Sequence, residues 1–200
     1  MAITTYSELK TAIANWLDRT DLTSRIPEFI ALAESDIRID IRCRSMEALA
    51  SGTLTGETLA FPTRYLEARR LVVGGKALTY VTPEIYAQMV DSTMTQDVYT
   101  VMGESFYILN GASGDSYTLL YWASFAAMSA DADTNWLLTN APGIYLFGAL
   151  KHAAAYEQAA GDINTYSAQY MDAVGRLTVR EKQTATSGGP MVQRTAISDR

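Results

Sequence analysis

Leu71-Val72-Val73-Gly74-Gly75-Lys76-Ala77-Leu78-Thr79-Tyr80 is the stretch on which the reading of this 200-residue chain turns. Two runs of aliphatic and β-branched residues flank a Gly-Gly pair, and glycine supplies the positive φ that a two-residue hairpin loop needs. A hairpin is therefore expected here. The same punctuated rhythm extends in both directions, from Gly52 to about Ala123. Val98-Tyr99-Thr100-Val101, Gly103-Glu104 and Phe106-Tyr107-Ile108-Leu109 read as a second hairpin, and Tyr117–Trp122 as the longest strand. Between the hairpins, Thr82-Pro83-Glu84 has the cap, proline and acidic residue of a helix start, giving a short helix to about Val90.

Outside this region the apolar period changes from two to three and four. Thr5-Tyr6-Ser7-Glu8 has the spacing of a capping box, and Tyr6, Leu9, Ile13, Trp16 and Leu17 then fall on one face, which places Trp16 in a core. After Asp18-Arg19-Thr20-Asp21, Thr23 reads as a second cap and Pro27 as a first-turn proline. Ile26, Phe29, Ile30, Ala33 and Ile37 carry a helix to about Arg44 that pairs with the first. Near the other end, Pro142 opens a helix whose residues Tyr145, Leu146, Ala149, Leu150, Ala153 and Tyr156 leave it buried on most sides. Its alanines suit close approach of helices within the chain or of neighbouring subunits. Gly161-Asp162 reads as a stop and an N-cap, followed by a last helix ending near Lys182. The expected fold class is α+β: a bundle of about four helices with an inserted small antiparallel β domain and an extended C-terminal arm. The expected organisation is residues 1–50 with 126–183 as the helical body, 51–125 as the β insertion and 184–200 as the arm.

Composition narrows the function. The hydrophobic share of 48% supports a packed core, and a single cysteine, Cys43, excludes a disulfide scaffold or a cysteine-rich zinc site. No apolar run approaches the roughly 20 residues of a membrane span, and the first residues lack the pattern of a signal peptide. A net charge of −6 argues against a surface that grips phosphate broadly, but not against a protein past which DNA slides. Catalytic templates fail for want of residues. His152, the only histidine, sits in an alanine-rich helix where packing or exposure is the simpler role. A nucleophile built on Cys43 and His152 would need a spatial meeting that no local signature supports. Arg38, Arg42 and Arg44 read as a solvated or intersubunit face, and the Asp36/Asp40 and Glu28/Glu34 pairs as salt-bridging partners on an arginine-rich helix. Gly111-Ala112-Ser113-Gly114 lacks the Gly-Lys-Ser/Thr of a phosphate loop, and Asp131-Ala132-Asp133 lacks the rest of a calcium loop. No enzyme, cofactor or metal site is expected. Thr184–Pro190 has no periodicity, and Met191–Ile197 follows as a β-capable segment, either a frayed end or an arm that orders on a partner.

Trp16-Leu17-Asp18-Arg19-Thr20-Asp21-Leu22 followed by Ile26-Pro27-Glu28-Phe29-Ile30-Ala31-Leu32-Ala33-Glu34 resembles the N-terminal block of the bacteriophage head-to-tail adaptor proteins, the connector or tubular-tail family of short-tailed phages and prophages. Leu59–Glu67, Tyr121-Trp122-Ala123 and Thr134–Pro142 running into Tyr145–Leu150 are similar too, and the likeness covers Tyr6 to about Arg180. Asn110-Gly111-Ala112-Ser113-Gly114 departs from it, lacking a proline-rich turn.

The resemblance implies a ring of about twelve identical subunits, a closed rotational assembly, docked on the phage portal protein. It would bear tail or nozzle components and let genomic DNA pass through its channel without sequence-specific binding, in the virion neck after assembly in the host cytoplasm. It also implies a portal-docking arm with Pro190, Met191, Val192, Arg194 and Ile197. As candidate intersubunit residues it implies Arg38, Arg42, Arg44, Tyr145 and Ala149. The competing expectation is a small module whose β insertion binds a ligand or host surface through an aromatic platform such as Trp122.

Overall fold

A computed structural model of the chain describes residues 3–92 and 94–186. Their fold is α+β. In chain order the elements are α1 (Tyr6–Leu17), α2 (Ile26–Asp40), β1 (Glu47–Thr53), β2 (Thr58–Ala60), β3 (Tyr65–Val73), β4 (Lys76–Ala77), β5 (Thr79–Tyr80), α3 (Pro83–Asp91), β6 (Val98–Met102), β7 (Ser105–Ile108), β8 (Ser116–Ala123), α4 (Trp136–Asn140), α5 (Pro142–Tyr156) and α6 (Ala160–Thr186). They divide into two compact units, one built from both ends of the chain, up to Ser45 and from Ala127, and the other from Met46–Ala126.

In the helical unit α1 starts with the reciprocal capping box: Glu8 N–H donates to Thr5 Oγ1, and Thr5 N–H to Glu8 Oε2. Two further first-turn donors are met from far along the chain, Tyr6 N–H by the Asp133 carbonyl at 2.8 Å and Ser7 N–H by that of Asp131 at 3.1 Å. A helix end packed into a protein needs such partners, because the first N–H groups have none within the helix. α5 lies between α2 and α6 and buries residues all round, including Ile144, Tyr145, Ala149, Leu150 and Ala153. Gly148 permits this: a Cβ built there would come within 3.0 Å of Ala33 on α2 and 3.5 Å of Tyr170 on α6.

The β unit has two four-stranded sheets, ordered β1-β8-β3-β4 and β2-β7-β6-β5. Leu71, Val73, Leu119, Tyr121, Tyr99, Phe106 and Ile108 close its core between the sheets. Phe61, Tyr65 and Phe106 meet at ring separations of 4.0–5.5 Å. α3 covers the second sheet through Tyr86 against Val98 and Leu109.

Several expected elements form as read, and some do not. Gly74 and Gly75 take φ of 55° and 81° and turn β3 into β4, but that pairing stops after two residues a side. Beyond Leu78 the chain leaves the first sheet, and Thr79–Tyr80 pairs in parallel with β6 in the second. The parallel connection requires a crossover, which α3 supplies. The sheets are thus not purely antiparallel. The longest strand is β3, not β8, and strand structure starts at Glu47 rather than Gly52. α2 ends at Asp40, because Ile41 is extended, with φ −111° and ψ 131°. Thr23 does not cap it; its hydroxyl donates to the Thr20 carbonyl within a 3₁₀ turn. Asp162 lies inside the first turn of α6, where its charge favours the helix dipole, and α6 runs to Thr186 into the stretch read as arm. Trp16 is not core: it is 51% exposed, resting edge-on against Phe147 and Tyr166.

The tight passage at Gly148 and the open one at Gly175, where a Cβ would meet nothing within 4 Å, give opposite expectations. Gly148→Leu should cost roughly 1–3 kcal/mol through overpacking. Gly175→Ala should gain about 0.5–1 kcal/mol through helix propensity. Urea unfolding followed by circular dichroism reads both signs.

Candidate functional site

The densest polar constellation of the helical unit joins α2, α5 and α6. Asp36 and Asp40 are four residues apart on α2 and so share a face. Asp36 Oδ2 receives Lys151 Nζ at 2.8 Å and His152 Nε2 at 2.6 Å, both from α5. A carboxylate can only accept, so His152 Nε2 carries the proton in this bond. Asp40 Oδ2 accepts the Tyr170 hydroxyl at 3.0 Å, and Lys151 Nζ lies 4.2 Å from the centroid of the same ring. Burial pushes the Asp36 carboxyl up, but the hydrogen bonds and charges of Lys151 and His152 outweigh it and hold the group below the usual carboxylate range. Burial and the bond to Asp40 push the Tyr170 hydroxyl well up. The cluster's groups are mutually satisfied, which suits a brace rather than a reacting centre.

This corrects the pairing read from sequence. On α2, Glu28 takes a neighbouring arginine, Arg25, at 3.1 Å. Glu34 accepts the Met128 N–H at 3.0 Å. Local spacing suggested partners on the same helix, whereas tertiary packing supplied them from α5 and α6.

Cys43 and His152 are not brought together as a pair: Cys43 Sγ lies 3.0 Å from Ser45 Oγ, and His152 is engaged by Asp36. Among the described residues no group of three or more His, Cys, Asp or Glu side chains is placed to hold a metal ion. The carboxylate of Asp133 takes the N–H groups of Ser129 and Ala130, so it closes a turn. In the β unit a cavity of about 330 Å³ is lined by Val73, Lys76, Leu78, Asp97, Ile108 and Asp115 among others, with no aromatic side chain.

Of the candidate intersubunit residues, Tyr145 and Ala149 are 1% and 0% exposed. They pack inside their own unit and are withdrawn from any face; Tyr145 also receives Asn135 Nδ2 on its hydroxyl at 2.8 Å. Arg38, Arg42 and Arg44 are exposed. Arg42 donates to the carbonyls of Arg38 and Ile41, closing the C-terminal turn of α2, and the Arg44 backbone N–H bonds to Glu181 on α6.

With the site dominated by faces, the sequence comparison decides the class. Residues 4–194 match the family model described as SU10 adaptor protein. The chain belongs to the SU10 adaptor protein family. Among curated proteins no match to it is found. SU10 adaptors are structural proteins of bacteriophages, head-to-tail adaptors that interact with other head and tail proteins. No helix among the described residues of this SU10 adaptor is long and apolar enough to cross a membrane. The arm residues Pro190, Met191, Val192, Arg194 and Ile197 lie outside the described residues.

A carboxyl whose pKa is lowered by folding adds stability above its unfolded pKa, and that stability is lost as pH falls through the folded value. Asp36 is such a group. The urea midpoint of the SU10 adaptor should therefore drop as pH is lowered below about 4, the range in which unfolded aspartate titrates. Asp36→Asn should lower the midpoint at neutral pH and flatten the acid limb.

Proposed function

We propose that this protein is a head-to-tail adaptor that assembles into a closed ring on the phage portal, offers a platform for tail components and continues the channel through which the genome leaves. The observation that carries the reading is the family match, which spans both the helical unit and the β unit. On this reading the protein catalyses nothing and works through its faces, in the neck of the virion after assembly in the host cytoplasm.

The physical chemistry is compatible with each part. A ring is a heterologous assembly, so each subunit needs two unlike faces. The exposed arginines Arg38, Arg42 and Arg44 belong to one of them, while the outer side of α6 presents Met171 and Val179 on another part of the same unit. A conduit for DNA has to avoid holding phosphate, because each Lys or Arg contact releases counterions and adds affinity. A net charge of −6 agrees with that. Trp122, the platform of the ligand-module reading, is half-buried, with Arg69 4.8 Å over its ring and tied to Glu47, which lends that reading little support.

Electron microscopy of the full chain mixed with the portal rings of the same phage tests the proposal. A rotationally symmetric collar with an open axis is the expected result. Portal rings that stay bare at saturating protein overturn it.

A further inference from the structure

The two ends of α2 lie in opposite electrostatic surroundings. At its start the end of α1, the end of α5 and the start of α6 come together: Arg19 reaches Glu157 at 3.0 Å, Arg25 lies 5.0 Å over the Tyr156 ring, and Trp16 rests against Tyr166. The carboxylates gathered there are Asp18, Asp21, Glu157 and Asp162, the last two close enough to act on the Tyr166 hydroxyl. The local cations are already taken. Arg19 is shared between Asp21 and Glu157, and Arg25 is paired with Glu28. Asp18 and Asp162 are exposed, and neither has an ion pair among the described residues. Trp16 and Tyr156 stand half-exposed in this acidic pole.

The far end of α2 lies 15 residues away, about 22 Å along the helix. Arg38, Arg42 and Arg44 are exposed there. The carboxylates beside them are engaged within the unit, Glu34 by the Met128 N–H, Asp40 by the Tyr170 hydroxyl and Glu181 by the Arg44 N–H. Glu181 is itself flanked in sequence by Arg180 and Lys182. Ile39 stands among the arginines 73% exposed, so this basic pole also carries an apolar side chain in water.

Like poles of two copies repel, and unlike poles attract. Tryptophan, tyrosine and arginine are the side chains that gain most from burial at an interface, and a guanidinium stacks on an indole face. Because the length of α2 separates the poles, joining two copies through one unlike pair leaves a basic pole open at one end and an acidic pole at the other. That is the heterologous relation that closes into a ring. Resting on the ring reading of the preceding section, we propose that the basic pole of each subunit, Arg38, Arg42, Arg44 and Ile39, docks on the acidic, aromatic pole of the next, around Trp16, Asp18 and Asp162. Trp16 is then an anchor of the contact, which accounts for a large aromatic side chain left outside the core.

Charge reversal in the full chain tests this. Arg38→Glu with Arg44→Glu makes the basic pole acidic, and Asp18→Lys with Asp162→Lys makes the acidic pole basic; Arg42 is left in place because it closes the last turn of α2. Circular dichroism checks the fold of each. Collars counted on portal rings by electron microscopy should fall at least about tenfold with either variant alone, because like charges then meet. An equimolar mixture should restore them, since every contact between the two variants again joins opposite charges. Asp18→Asn with Asp162→Asn, tolerated by the left-handed backbone at Asp18 (φ 49°), should weaken the collar in the same direction and serves where a reversal does not fold.

Collars built by either reversed variant as well as by the wild type overturn the proposal. So do collars that the mixture fails to restore, which means that the poles meet something other than each other. Sedimentation of the same samples without portals separates the contact from the ring reading. Species larger than two in the wild type and in the mixture, but in neither variant alone, uphold the contact even where portals stay bare and the ring reading falls. Species that stop at two overturn it in favour of a closed pair, and bare portals with no association of the wild type overturn both.

Discussion

A helix with almost no polar face can exist only inside other helices, and α5 imposes that constraint on the helical unit. Gly148 sets the separation, because the absence of a Cβ lets Ala33 and Tyr170 close on the same turn from either side. The apolar contacts of α2 and α6 follow from it, as does the withdrawal of Tyr145 from the surface. Packing alone does not fix rotation about a helix axis. The shared carboxylate of Asp36 does so for α2 against α5, and the Tyr170–Asp40 bond for α2 against α6. Directional hydrogen bonds add specificity to an interface whose energy comes mainly from burial.

The division between these roles suits a part of an assembly. The polar groups of the cluster are spent on one another, and the exposed features of the described residues include a sheet edge, apolar side chains on α6 and surface ion pairs. Such features gain their meaning from a neighbour. The SU10 adaptor thus has a closely packed helical interior whose cluster groups bond to one another.

Signals confined to a few adjacent residues were legible in the sequence: the Thr5/Glu8 box, the prolines opening α2, α3 and α5, and the glycine turns after β3 and β6. What escaped depends on partners remote in the chain. Glu47-Ala48-Leu49-Ala50 has the composition of a helix end, and only pairing with β8 makes it a strand. Thr79–Tyr80 looked like the return strand of a hairpin because nothing local announces a change of sheet. Small and aromatic residues at helical spacing, as at Tyr145 and Ala149, signal close packing without saying whether the other side is the same chain. Trp16 shows the converse, an apolar stripe running one turn past the core that covers it. Of the candidate site, the exposure of the arginines agreed with their composition, whereas the cross-helix engagement of Asp36 had no local signature.

The N-terminal turn of α1 carries a consequence for how the molecule is made. Tyr6 and Ser7 find their acceptors at Asp133 and Asp131, more than half the chain later, and α5 and α6 come later still. Every strand pairing of the β unit, by contrast, lies between Glu47 and Ala123. During vectorial synthesis the insertion has all its partners before the first helices have theirs, so α1 and α2 leave the ribosome with apolar faces waiting. The helical unit is thus the later of the two to have all its described partners synthesised.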